Sequence, residues 1–118
     1  MYVDGFVVPV PTKKLAAYRR MAKTVGKVWI EYGALSYVEC VADDVKVGKR
    51  TSFPRSVKLK PGETVVFAWV TYKSRAVRDR VMAKSMKDKR HAAIMNHAAM
   101  LFDGKRMIFG GFKSFLEM

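Results

Sequence analysis

ETVVFAWVTYK, residues Glu63 to Lys73, decides how this chain folds. Its β-branched and aromatic residues read as a strand. A strand in an antiparallel sheet with one wet face alternates apolar and polar residues. Here Val65, Phe67 and Trp69 would share one face, and Val66, Ala68, Val70 and Tyr72 the other. Both faces therefore need cover. Downstream, Ser74 is placed to cap a helix, SRAVRDRVMAKSMKDKR, with Val77, Val81, Met82 and Met86 on its apolar side. HAAIMNHAAM continues for a further turn or two, Asp103-Gly104 marks a tight turn, and KRMIFGGFKSFLE is expected to form the last strand.

Upstream, YVDGFVVPV (Tyr2 to Val10) reads as the first strand, ended by Pro9 and Pro11. Thr12 is expected to cap a helix running to about Tyr32, with Gly33 as its stop. Leu15, Tyr18, Ala22, Val25, Trp29 and Tyr32 recur at spacings of three and four and form one apolar stripe, with Lys13, Arg20, Lys23, Lys27 and Glu31 opposite. LSYVECVAD (Leu35 to Asp43) is a second strand. Residues 44–61 lack periodicity, and a connection that long either serves a function or hides a short element.

The order is β-α-β-β-α-β, the ferredoxin-like α+β arrangement with an antiparallel sheet, and 118 residues fit one domain, 1–118. Two helices cover one face of such a sheet. The other would be an apolar patch larger than monomers tolerate, so a homodimer with its sheet faces together is expected.

LFDGKRMIFGGF, Leu101 to Phe112, holds a Gly-Lys pair but no phosphate loop: Arg106 follows Lys105, no glycine lies five residues before Gly104, and a strand follows where a helix is required. Gly110-Gly111 instead clears side chains for something that approaches the sheet closely. No apolar run reaches the ~20 residues of a membrane span, and the N-terminus lacks signal-peptide features. Cys40, the single cysteine, reads as a small buried hydrophobe, and a cytoplasmic location is expected.

With those stretches in view, the chain resembles the YbaA-like family of small bacterial proteins of unknown function (domain of unknown function 1428). YVDGFVVPVP from Tyr2, GALSYVECV from Gly33, TSFPRSVKLKPGETVVFAWVTYKSRA from Thr51 and FDGKRMIFGGF from Phe102 carry the resemblance. It implies the dimeric α/β-barrel version of the fold, and no established activity.

Chemistry-bearing residues are sparse. His91 and His97 lack partners at zinc-ligand spacing and read as surface or helix-end histidines; no metal or cofactor is expected. Ser52, Ser56 and Ser74 have no nucleophile elbow, so no catalytic residue is assigned and enzyme activity stays open. Asp4 and Glu39 are carboxylates inside apolar strands and must be paired, solvated or perturbed. Asp4, Tyr37, Glu39, Trp69, Tyr72 and Arg106 are candidates to line a small-molecule pocket between sheet and helices or in a barrel mouth, against the alternative of structural ion pairs. Phe53 and Arg55 of the SFPR segment are candidates for a lid or anion contact, or for a loop anchor. The net charge of +13, from 23 Lys+Arg against 10 Asp+Glu, adds nonspecific binding of nucleic acid through basic helix faces as the alternative function.

Overall fold

The computed structural model describes residues 1–118. Strands β1 (Tyr2–Pro11), β2 (Ser36–Val41), β3 (Glu63–Tyr72) and β4 (Ile108–Lys113) form one sheet in the order β2-β3-β1-β4, with every neighbouring pair antiparallel. Helices α1 (Leu15–Tyr32), α3 (Arg75–Lys87) and α4 (Lys89–Ala98) lie on one face, and a single turn, α2 (Phe53–Ser56), sits within the long connection. This is the ferredoxin-like α+β fold. No helix is long and apolar enough to cross a membrane.

The two-faced reading of β3 holds. Val66, Val70 and Tyr72 pack with Val8, Val10, Tyr18, Ala22 and Val81 in the cores beneath α1 and α3. On the far face, Val65 joins Val7 and Val57, so the 44–61 connection covers that end of the sheet. Phe67, against Phe53 of that connection, is still 43% exposed, and beyond it the far face is open, with Ile108 45% and Phe112 65% exposed. Cys40, expected to be buried, is half-buried on this face opposite Phe67.

Three boundaries differ from expectation. Thr12 caps nothing: it opens a short 3-10 turn (Thr12–Lys14), and α1 starts at Leu15 without a side-chain cap. The second helix breaks at Asp88, whose extended backbone ends α3 and whose side chain caps α4 by accepting from the Arg90 N–H at 2.9 Å. The cluster that fixes the break is acidic and basic in turn. The Tyr32 hydroxyl donates to Asp88 Oδ2 at 2.7 Å, and Arg90 grips Glu31 with two bonds of 3.1 and 2.7 Å. These contacts hold Asp88 well below the usual carboxylate range, chiefly through the Arg90 side chain, and they set α4 over α1. The last strand is also shorter than KRMIFGGFKSFLE, because Asp103 to Arg106 form a turn closed by the Arg106 N–H on the Asp103 carbonyl.

Other signals hold as read. Gly33, at φ 127°, stops α1. The Ser74 hydroxyl accepts from the Val77 N–H and caps α3. The body that approaches the double glycine is the Tyr2 side chain, which a Cβ at Gly111 would strike.

Candidate functional site

The pleat of β2 aims Tyr37 and Glu39 at the helices, opposite Val70 and Ala68 of β3. The apolar stripe of α1 brings Tyr18, Ala22, Val25 and Trp29 onto the same space, and α4 closes it with His91, Ile94 and Ala98. The result is an inner chamber of about 190 Å³, bounded on the sheet side by Phe6 and Val8. A wider cleft of about 530 Å³ lies outside it along the α1–β2 edge, flanked by Arg19 and Lys23. Tyr18, Ala22, Tyr37 and Glu39 border both spaces and form the partition between them.

Glu39 is the acidic group of this partition. The Tyr18 hydroxyl donates to Oε1 at 2.8 Å, and the Tyr37 hydroxyl donates to Oε2. No cation pairs with it. Burial therefore raises the Glu39 carboxyl above its ordinary range, although both tyrosines favour its charged form. Burial, aided by the neighbouring carboxylate, pushes both tyrosine hydroxyls far up, so they act as fixed donors. Trp29 stands edge-on to Tyr37 at 5.0 Å and stacks on Phe6 at 6.3 Å. Its Nε1–H is sealed from solvent with no acceptor. Such an arrangement offers a carboxyl of elevated proton affinity beside an apolar space, suited to binding a polar group or to exchanging a proton with one.

A glycine makes the partition possible. A Cβ at Gly26 of α1 would collide with the Tyr37 ring. Alanine in a helix interior normally gains about 1 kcal/mol over glycine. Gly26→Ala is expected to reverse that sign, destabilising the fold and displacing Tyr37 from Glu39; a melting curve at or above that of the parent chain would contradict the packing.

Glu39 also predicts a pH effect. A carboxyl whose folded value lies above its unfolded one keeps its proton better in the native state, so native stability falls as pH rises from the ordinary glutamate range through the raised value. The slope is at most about 1.4 kcal/mol per pH unit. Denaturant unfolding across that window should show the decline in the parent chain and its loss in Glu39→Gln; parallel profiles would contradict it.

The candidates from sequence separate into four places. Tyr37 and Glu39 meet at the partition. Asp4 and Tyr72 share the helix side but form another cluster: Asp4, 6% exposed, accepts from the Tyr72 hydroxyl at 3.0 Å and from Arg78 at 2.7 Å. Trp69 and Phe53 lie on the far face, linked through Phe67 with ring centroids 5.7 and 5.6 Å away. Arg55 and Arg106 hold loops. Arg55 donates to the carbonyls of Val47 and Gly48. Arg106 grips Glu63 at 2.8 and 2.6 Å and donates to Asp103 and to the Lys58 carbonyl. A single pocket lined by all six residues is thus not formed, and SFPR is a capped turn anchoring the long connection.

Tyr18, Trp29 and His91 were not singled out for the site. The first two lay in plain view in the α1 stripe, and a buried tyrosine or tryptophan needs a partner for its polar tip; that need was the available signal. His91 and His97 were expected at the surface or at a helix end: His91 lies in the first turn of α4 and is 9% exposed, and His97 lies in its last turn and is exposed.

Comparison with known proteins adds a family and a fold. Residues 1–104 match the family described as "Protein of unknown function (DUF1428)". The uncharacterized protein YbaA of Escherichia coli (strain K12) is 49% identical over 116 residues, covering 98% of this chain and 97% of that one. Among solved structures, a putative antibiotic biosynthesis monooxygenase from Nitrosomonas europaea superposes with TM-score 0.63 at 14% identity, over 98% of this chain and all of that one. An uncharacterized NIPSNAP domain protein from Burkholderia xenovorans superposes with TM-score 0.60 at 13% identity, covering both chains fully. At these identities the likeness is one of fold.

Proposed function

The chain belongs to the DUF1428 family, and from that premise we propose that it binds a small molecule in the chamber between sheet and helices, as a homodimer joined through its far sheet face. The observation that carries the ligand reading is the Glu39 carboxyl, held by two tyrosine hydroxyls at the wall of an apolar cavity with no cation beside it. A purely structural carboxylate is ordinarily ion-paired, as Asp4 is with Arg78. Ligand sites are mostly apolar and concave with a few convergent polar groups. The likeness in fold to a putative monooxygenase agrees with small-molecule chemistry, though it assigns no reaction to this chain.

Native mass spectrometry of the purified protein, followed by a thermal-shift screen of small organic compounds, tests the reading. A dimer carrying an adduct released on denaturation, or compounds that raise Tm and lose that effect in Glu39→Gln, is the expected result. A clean spectrum with no stabilising compound would remove it.

The polyanion alternative keeps one observation in its favour. Arg19, Arg20, Lys23 and Lys27 on α1 are exposed and enter no salt bridge, whereas Arg78, Arg90 and Arg106 are all paired. Binding by that row would be electrostatic and should weaken steeply with salt. Absence of any complex with duplex DNA or RNA at low ionic strength would eliminate it.

A further inference from the structure

The size, walls and polar groups of the inner chamber restrict what can occupy it. A cavity of roughly 150 Å³ accepts benzene, so about 190 Å³ admits one ring with small substituents. Five aromatic side chains, Phe6, Tyr18, Trp29, Tyr37 and Phe102, border it among aliphatic ones. Flat rings pack against aromatic side chains, stacked or edge-on, with an advantage beyond area alone.

The hydrogen-bonding inventory is narrower still. Each Glu39 oxygen already accepts from one tyrosine and keeps a free lone pair. The tyrosine hydrogens are committed to that carboxylate. Trp29 offers the chamber its ring and not its Nε1–H, which is sealed off. The chamber therefore calls for one donor, directed to Glu39.

Charge excludes both kinds of ion. No lysine or arginine lines the inner chamber, so an anionic ligand would lie near Glu39 without a countercharge. An ammonium would bring three N–H donors into a largely apolar space whose acidic acceptor is Glu39 alone, leaving donors unmet.

Resting on the reading of this chamber as a ligand site, we infer that its ligand is an uncharged single-ring aromatic compound bearing one hydroxyl. The ring fills the space under α1 and α4, and the hydroxyl donates to Glu39. The hydroxyl sits at the partition between the chamber and the wider cleft.

Isothermal titration with the three hydroxyacetophenone isomers, acetophenone, toluene, benzoate and phenethylammonium tests this class. The best hydroxyacetophenone should bind at least about tenfold tighter than acetophenone, because a site built to hydrogen-bond a hydroxyl rejects the analogue lacking it. Benzoate and phenethylammonium should bind more weakly than either. Toluene binding as tightly as every isomer would overturn the class while leaving the chamber a ligand site; so would benzoate or phenethylammonium binding best. Binding of no ring compound by the folded parent chain would overturn this inference and the chamber reading together.

Discussion

Arg78→Leu is expected to lower stability by about 3 kcal/mol, near the lower bound for breaking a buried pair, with a fall in Tm of roughly 10 °C. Arg78 NH1 lies 2.7 Å from Asp4 Oδ1, and the side chains of the two residues are 20% and 9% exposed. Its guanidinium also sits 4.9 Å from the Tyr2 ring centroid and donates to the Tyr2 hydroxyl at 3.3 Å. Removing it leaves the Asp4 carboxylate with Tyr72 alone in the middle of a sheet. Most of the cost is that stranded charge, so Asp4→Asn combined with Arg78→Leu should recover the greater part of it. Chemical denaturation of both variants measures the difference. A loss below about 1 kcal/mol for Arg78→Leu would place the pair among ordinary surface salt bridges. Because this cluster is separate from the chamber, ligand binding should survive wherever the variant stays folded.

Asp4 and Glu39 also show how far the sequence could be read. Each is a carboxylate in an apolar strand, and the strands themselves were legible from β-branched runs and from the double-faced pattern of Glu63 to Lys73. The two acids then diverge for reasons outside their own strands. Asp4 meets Arg78, 74 positions away on α3, and Glu39 meets Tyr18 on α1. Pattern gives the face on which a side chain lies, but depth along the sheet is set by register and by helix placement. That placement depended on the break at Asp88, which a continuous basic stretch from Arg75 to Arg90 conceals. Without the break, α4 would not lie over α1, and His91 would not reach the chamber. Trp69 and Phe53 were candidates for the same reason in reverse: an aromatic in a strand or loop carries no label for which side of the sheet it serves.

Phe112→Asp is expected to abolish the proposed dimer while leaving each protomer folded. Phe112 pairs with Val3 in β4 on the far face, where Ile108 is also exposed and the 44–61 connection does not reach. At 65% exposure in the isolated chain it contributes little to the protomer's own core, so the stability cost within one protomer should stay within about 0.5 kcal/mol. In a sheet-to-sheet dimer the two-fold axis places two such aspartates in one apolar interface, each without a countercharge. A buried unpaired charge costs several kcal/mol, enough to weaken association by a thousandfold or more at 1.4 kcal/mol per decade. Phe109→Asp is the control. Phe109 is three residues away in the same strand and 71% exposed, yet it faces the helices, stacking on Phe6 at 6.2 Å. Side chains alternate along a strand, so these two substitutions put the same charge on opposite faces of one sheet. Light-scattering mass measurement should return half the parent mass for Phe112→Asp and the parent mass for Phe109→Asp. Equal behaviour of the two variants would move the interface to a sheet edge or to the helices, and the open apolar face would then need another cover.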